Sequence, residues 1–268
     1  MEVITIIGFL SAIIIGISLG LIGGGGSILT VPALVYLLHV SPVLATAYSL
    51  FVVGATSLAG SVSFMRKGLV DYKTAFVFAT PSFIAVFLTR KFLIPAIPEM
   101  LFNIGDLTIS KNVGIMVFFA LIMVVAAISM IKKNGFDTNN KEEKVKFNYP
   151  MIALEGAVVG TLTGIVGAGG GFLIIPALVL FAKLPMKLAV GTSLLIIAAK
   201  SLIGFLGDIG NQPIDWSFML LFTSLSLGGI FVGSWLSTKI DGKHLEKGFG
   251  WFVLVMGIYI LFTELILQ

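Results

Sequence analysis

Residues 20–35 read GLIGGGGSILTVPALV, and residues 164–179 read GIVGAGGGFLIIPALV. The likeness continues at the same offset through the pairs Leu44/Leu188, Ala45/Ala189, Ser49/Ser193, Leu50/Leu194, Ser57/Ser201, Gly60/Gly204 and Asp71/Asp215. About a third of residues 20–72 recur identically in 164–216, too many for two apolar segments that merely share a composition. The chain is an internal duplication, and whatever fold one half adopts the other must repeat.

The duplicated unit belongs in a membrane. Of 268 residues, 57% are hydrophobic and 11% charged, with a mean hydropathy of +1.09, whereas soluble domains carry about 25% charged residues. A bilayer crossing takes about 20 apolar residues, so the chain has room for roughly eight membrane segments and no separate soluble domain. The net charge of +4 does not call for a nucleic-acid partner, because the basic residues lie in short loops between apolar runs, where they set orientation. Zero cysteines exclude disulfides, iron–sulfur clusters and thiolate metal sites, and two histidines, His39 and His244, leave little for a metal cluster. No metal or cofactor is expected. Residues 3–22 have no preceding Lys or Arg and no small-residue cleavage site, so they read as retained structure.

Apolar runs cover residues 3–22, 28–38, 42–65, 72–94 and 113–131 in the first half, and 151–166, 172–182, 186–206, 216–238 and 249–267 in the second. The run 28–38 would span only about 17 Å as a helix, against a hydrocarbon core of about 30 Å. It is expected to enter the membrane and return, as half of a re-entrant hairpin. Three full crossings plus one hairpin per repeat start the second repeat on the opposite face. The fold expected is therefore an all-α polytopic membrane protein of two inverted-topology repeats, each a Gly-broken re-entrant helical hairpin plus three transmembrane helices. Repeat 1 occupies 1–133, a cytoplasmic linker loop 134–149, and repeat 2 150–268. Residues 95–110, with Pro95, Pro98 and Gly105, read as an irregular interfacial excursion.

Basic residues test the orientation independently. That topology puts Arg66, Lys67, Lys73, the lysines of the linker and Lys183, Lys187, Lys239, Lys243 and Lys247 on one face, leaving Arg90, Lys91 and Lys111 on the other. The crowded face is cytoplasmic by the positive-inside rule. Both termini are then periplasmic or extracellular.

The glycine runs carry the chemistry. Gly23, Gly24, Gly25, Gly26 and Ser27 in one half match Gly167, Ala168, Gly169, Gly170 and Gly171 in the other. Paired interruptions of short apolar segments point to a transporter's binding site. Unwound backbone at membrane depth survives only against protein or a watery cavity, and the half-helix that follows presents amides without intrahelical partners at the positive end of its dipole. Absent Cβ atoms let an anion approach those amides closely. The competing reading is that the glycines serve close helix packing. Hydroxyls follow each half-helix, Thr46, Tyr48 and Ser49 in one repeat and Thr192 and Ser193 in the other. They could donate to an anion or bond local backbone. Lys200 lies inside an apolar run, where a charge costs at least about 2.5 kcal/mol, so it faces an interior partner or substrate unless it snorkels to the headgroups. Glu155 reaches the inner interface or carries a coupling proton. Asp71 and Asp215 precede matching runs and read as helix caps.

Gly191-Thr192-Ser193 has the look of a hydrolase serine, yet no histidine lies at membrane depth to serve as its base, so an enzyme is not expected. No Gly-x-x-x-x-Gly-Lys-Ser/Thr run is present, so coupling to ATP is not expected either.

Two copies of a glycine-rich break, a half-helix with Pro-Ala-Leu and then Leu-Ala-x-x-x-Ser-Leu resemble the sulfite exporter TauE/SafE family of membrane permeases. The resemblance covers nearly the whole chain. It implies a secondary transporter in a bacterial inner membrane, moving sulfite or a related sulfur-containing or organosulfonate anion by alternating access, with a proton or cation as a possible coupling partner. An anion channel and a non-transporting assembly subunit are the alternatives, and the oligomeric state is left open.

Overall fold

Proline at the first turn and aspartate just before it fix where most of the long helices begin. Pro42 stands at the start of one, and the Asp71 and Asp215 carboxylates cap two others by accepting from the Thr74 and Phe218 amides, each at 3.0 Å. The computed structural model describes residues 2–104, 107–132, 149–167, 170–180, 184–237 and 242–266. The linker expected at 134–149 falls, apart from Tyr149, outside the described residues.

Among the described residues the regular structure is helical but for one β-hairpin. The first half comprises α1 (Glu2–Ile22), α2, α3 (Pro42–Arg66), α4 (Tyr72–Leu88, prolonged by a π turn over Thr89–Leu93 and by Ile94–Ala96) and α5 (Lys111–Lys132). The second comprises α6 (Tyr149–Val166), α7 (Gly171–Leu180), α8 (Met186–Leu206), α9 (Trp216–Leu236) and α10 (Gly242–Ile266). Helix α2 differs from expectation. It begins at the first glycine and changes pitch twice, with a 3-10 stretch over Gly23–Leu29, a single α turn over Thr30–Pro32 and a π stretch over Ala33–Leu37. Four consecutive glycines supply no side-chain packing to hold an α-helical pitch, and Pro32 lacks an N–H to donate.

Residues 95–110 are also more ordered than the sequence suggested. Met100–Ile104 (β1) pairs antiparallel with Leu107–Ser110 (β2), and the Lys111 amide donates to the Glu99 carbonyl at 2.9 Å, closing the hairpin onto α5.

Five helices are long and apolar enough to cross a bilayer, those over Pro42–Arg66, Tyr72–Ala96, Lys111–Ile128, Lys187–Leu206 and Trp216–Leu236, with shorter apolar helices over Ile6–Leu21, Ser27–Leu37, Pro150–Val166 and Gly250–Leu265. The chain is a multi-pass membrane protein. Its exposed surface fits that setting, with Phe76, Ile84, Val125, Phe231, Trp235 and Val255 all turned outward.

The two halves interlock through reciprocal contacts. Helix α1 packs along α9, and α6, its counterpart, packs along α4, the counterpart of α9. Both pairs run parallel and touch through glycine. Gly16 and Gly20 meet Ser226 and Ile230, while Gly156 and Gly160 meet Phe78 and Ser82. At the centre α3 crosses α8 antiparallel, with Leu50 against Gly204, Gly54 against Leu202 and Gly60 against Leu194. The outer pair is α5 with α10. The chain also doubles back at the first break, for Leu38 at the far end of α2 packs on Gly8 near the start of α1.

Close backbone contact through glycine makes these seams intolerant of side chains. A Cβ at Gly160 would lie 2.6 Å from the Ser82 carbonyl oxygen. Gly160→Leu should therefore lower stability by about 1–3 kcal/mol through overpacking. Gly228, on α9 with nothing within 4 Å, is the control. Its replacement by Ala should be neutral or stabilising. Thermal unfolding in detergent reads both.

Candidate functional site

The breaks occupy matching positions, and each is pressed against the other repeat. Gly23 and Gly167 have φ of +73° and +71°, left-handed values that disfavour a side chain. A Cβ at Gly23 would stand 2.9 Å from Val190, and one at Gly167 would stand 2.6 Å from the Thr46 carbonyl oxygen. Val190 and Thr46 hold corresponding places on α8 and α3. The segment Gly23–Leu29 also packs on α7 and α8, so the two breaks adjoin.

Hydrogen bonds reproduce the exchange. The Asp71 amide donates to Thr192 Oγ1 at 2.9 Å, and the Asp215 amide donates to Tyr48 OH at 2.8 Å. Thr192 and Tyr48 correspond, as do the two aspartates. These hydroxyls thus tie the central helices to the start of α4 and α9. Ser193 Oγ donates to the Val190 carbonyl at 2.8 Å, within its own helix, whereas Ser49 Oγ is fully buried without a hydrogen-bond partner. Ser57 and Ser201, a further corresponding pair, are buried and unpartnered as well.

Glycines at the second break frame a buried cation. Gly170, with φ +65°, immediately precedes α7, its carbonyl accepting from the Leu173 and Ile174 amides at 3.0 Å. A Cβ there would stand 2.6 Å from Lys200 Nζ. Lys200 is fully buried and does not reach the headgroups. Among the described residues its hydrogen-bond partner is Thr163 Oγ1, at 2.9 Å, and no carboxylate pairs with it. The ammonium lies between the end of α6, whose dipole favours a cation, and the start of α7, whose dipole favours an anion. An ammonium has three donors to place. Thr163 Oγ1 takes one of them, which leaves donors for a further acceptor.

Of the other residues singled out in sequence, Gly24, Gly25 and Gly26 lie in the 3-10 stretch of α2, Ser27 is fully buried there, and Gly171 is the first residue of α7. Ala168 and Gly169 lie outside the described residues. Glu155, half-buried, has Oε1 enclosed without a hydrogen-bond partner.

Sequence reasoning missed an ion pair beside Lys200. Arg90, on the π turn that prolongs α4, is completely buried. Its Nε donates to Asp208 Oδ2 at 2.7 Å, and its Nη1 donates to Thr46 Oγ1 at 2.9 Å and to the Gly164 carbonyl at 3.2 Å. Nη2 has no partner. Burial holds the Asp208 carboxyl above its ordinary range, and the Arg90 guanidinium offsets only part of that rise. The carboxylate serves as counter-charge, since arginine does not surrender its proton. The available signal was a basic residue inside the apolar run 72–94. Removing either partner strands a buried charge, so Arg90→Ala should cost about 3–5 kcal/mol, most of it recovered when Arg90→Gln is combined with Asp208→Asn. Thermal unfolding of the purified variants measures both effects.

Among the described residues, a glycine-broken helical bundle encloses an ammonium with no carboxylate beside it, and paired breaks of this kind are a feature of membrane transporters. The chain belongs to the sulfite exporter TauE/SafE family, whose model matches residues 8–260. It is 30% identical over 255 residues to a "Probable membrane transporter protein" of Xylella fastidiosa, covering 94% of this chain and 92% of that one. It is 27% identical over 263 residues to the "Probable membrane transporter protein YunE" of Bacillus subtilis, covering 88% and 91%. A probable membrane transporter protein of Methanocaldococcus jannaschii is 26% identical over 276 residues, covering 97% and 95%. No solved structure matches the chain.

Proposed function

We propose that this transporter moves a small oxyanion, sulfite or an organosulfonate, across a bacterial inner membrane as a secondary carrier. The observation that carries the reading is Lys200, an ammonium buried against the glycine break with a hydroxyl for its partner and no carboxylate. A charge in that position is maintained at considerable cost inside an apolar bundle, and such residues mark substrate paths. The amides at the start of α7 and the hydroxyl of Ser49 are the neutral donors we assign to the same anion, with Gly23–Ser27 and Gly167–Gly171 as its cradle. Tyr48, Thr192 and Ser193 stand behind this shell and hold the helices that form it.

The two repeats are inverted with respect to the bilayer in this reading. Its support is the direction of the contacts, with α1 parallel to α9, α6 parallel to α4 and α3 antiparallel to α8, as a two-fold axis in the membrane plane requires. Each break then ends a re-entrant hairpin, and the halves rock about the anion at the midplane. Coupling to a proton or cation gradient drives net movement. The lysine-rich linker is cytoplasmic and both termini are periplasmic.

Purified protein in proteoliposomes should take up sulfite saturably and exchange it in counterflow. Lys200→Gln should reduce uptake at least tenfold while leaving the folded yield intact. Unitary currents without saturation would instead make the protein a channel. Failure to bind any anion, with stable co-purification of another membrane protein, would make it an assembly subunit.

A further inference from the structure

Building on the transport reading, we infer that the site is built for a singly charged oxyanion and that Asp208 is the residue that sets this charge preference. Among the described residues, the buried charges grouped around the second break are Lys200, Arg90 and Asp208. They are linked through adjacent residues of α6, since Lys200 bonds Thr163 Oγ1 and Arg90 bonds the carbonyl of the next residue, Gly164. Arg90 also bonds Thr46, the residue against which the break at Gly167 is packed. Glu155 lies eight residues before Thr163 on the same helix, and its buried Oε1 bonds none of these charged groups.

Two positive charges and one negative leave a single uncompensated positive charge. A monoanion brings the enclosed group to neutrality, whereas a dianion leaves a net negative charge in a medium of low dielectric, which is costly. Arg90 contributes more than charge. Its Nη2 is buried, carries protons and has no acceptor. We assign it one oxygen of the anion, with Lys200 and the α7 amides taking the others. Asp208 holds the guanidinium through Nε and cancels its charge, so Arg90 offers a donor without adding to the attraction for a second negative charge. Asp208 is therefore a specificity-determining residue that need not touch the substrate.

Methanesulfonate and sulfate provide the test, because both present tetrahedral sulfur oxygens and they differ in charge. Binding to the purified full-length protein should favour methanesulfonate by at least tenfold. Asp208→Asn should shift the ratio of affinities toward sulfate by tenfold or more. Arg90→Gln combined with Asp208→Asn restores a single positive charge and should restore the preference for methanesulfonate, with weaker binding of both anions through loss of the Nη2 donor. A purely structural ion pair would change stability and leave the ratio untouched. Asp208→Asn strands Arg90, and if it fails to fold the wild-type ratio decides, since a wild-type preference for sulfate overturns the inference without any variant. Binding of both anions with a ratio that ignores the charge at position 208 overturns this inference alone. Binding of neither anion overturns the transport reading, and this inference with it.

Discussion

A peptide group inside hydrocarbon has no water to bond, so a helix that breaks there must find its partners in the protein itself. The rest of this architecture depends on that constraint. Both breaks turn at a glycine with left-handed φ, Gly23 and Gly167, and each is pressed onto a central helix of the other repeat, at Val190 and at Thr46. Each break takes part of its shelter from the other half. Duplication thus provides more than symmetry, because each copy is the environment that the other's unwound segment requires.

The same exchange organises the helices around the breaks. Tyr48 and Thr192 each receive the backbone amide of the capping aspartate from the opposite repeat, so the helix starts at Tyr72 and Trp216 are positioned by the partner half. Glycine seams along α1 with α9 and α4 with α6 bring backbones together at distances that admit no side chain. Small residues at such seams permit sliding as well as contact, which suits a molecule whose halves are proposed to rock.

Symmetry ends at the charges. Position 200 carries lysine where its counterpart is Thr56, and Arg90 corresponds to Ser234. All the buried basic groups near the breaks therefore belong to the second one. The first break keeps neutral groups, among them the buried Thr30 with its unpartnered hydroxyl. An anion between the two breaks would be held by charge on one side and by neutral donors on the other.

Hydrophobic content, the repeated glycine runs and the aspartates before apolar runs were sufficient to determine a membrane bundle built twice, with breaks in corresponding places and caps at Asp71 and Asp215. These features are local. They depend on the length of an apolar run, on the backbone freedom of glycine and on a side chain reaching its own helix start. Lys200 was conspicuous for the same kind of reason, as a charge within a run that should contain none. Whether it faced inward, and which hydroxyls were already engaged, depended on contacts between residues far apart in the chain, such as Asp71 with Thr192. The Arg90–Asp208 pair was hidden because Arg90 stands near the end of the apolar run 72–94 and Asp208 just past the run 186–206, where sequence reads a charge as reaching solvent, and only the packing of α4 beside α8 removes both from water. Composition and spacing set where the chain breaks, and tertiary structure decided which charges meet there, because burial and pairing are properties of neighbours that the chain brings together only when it folds.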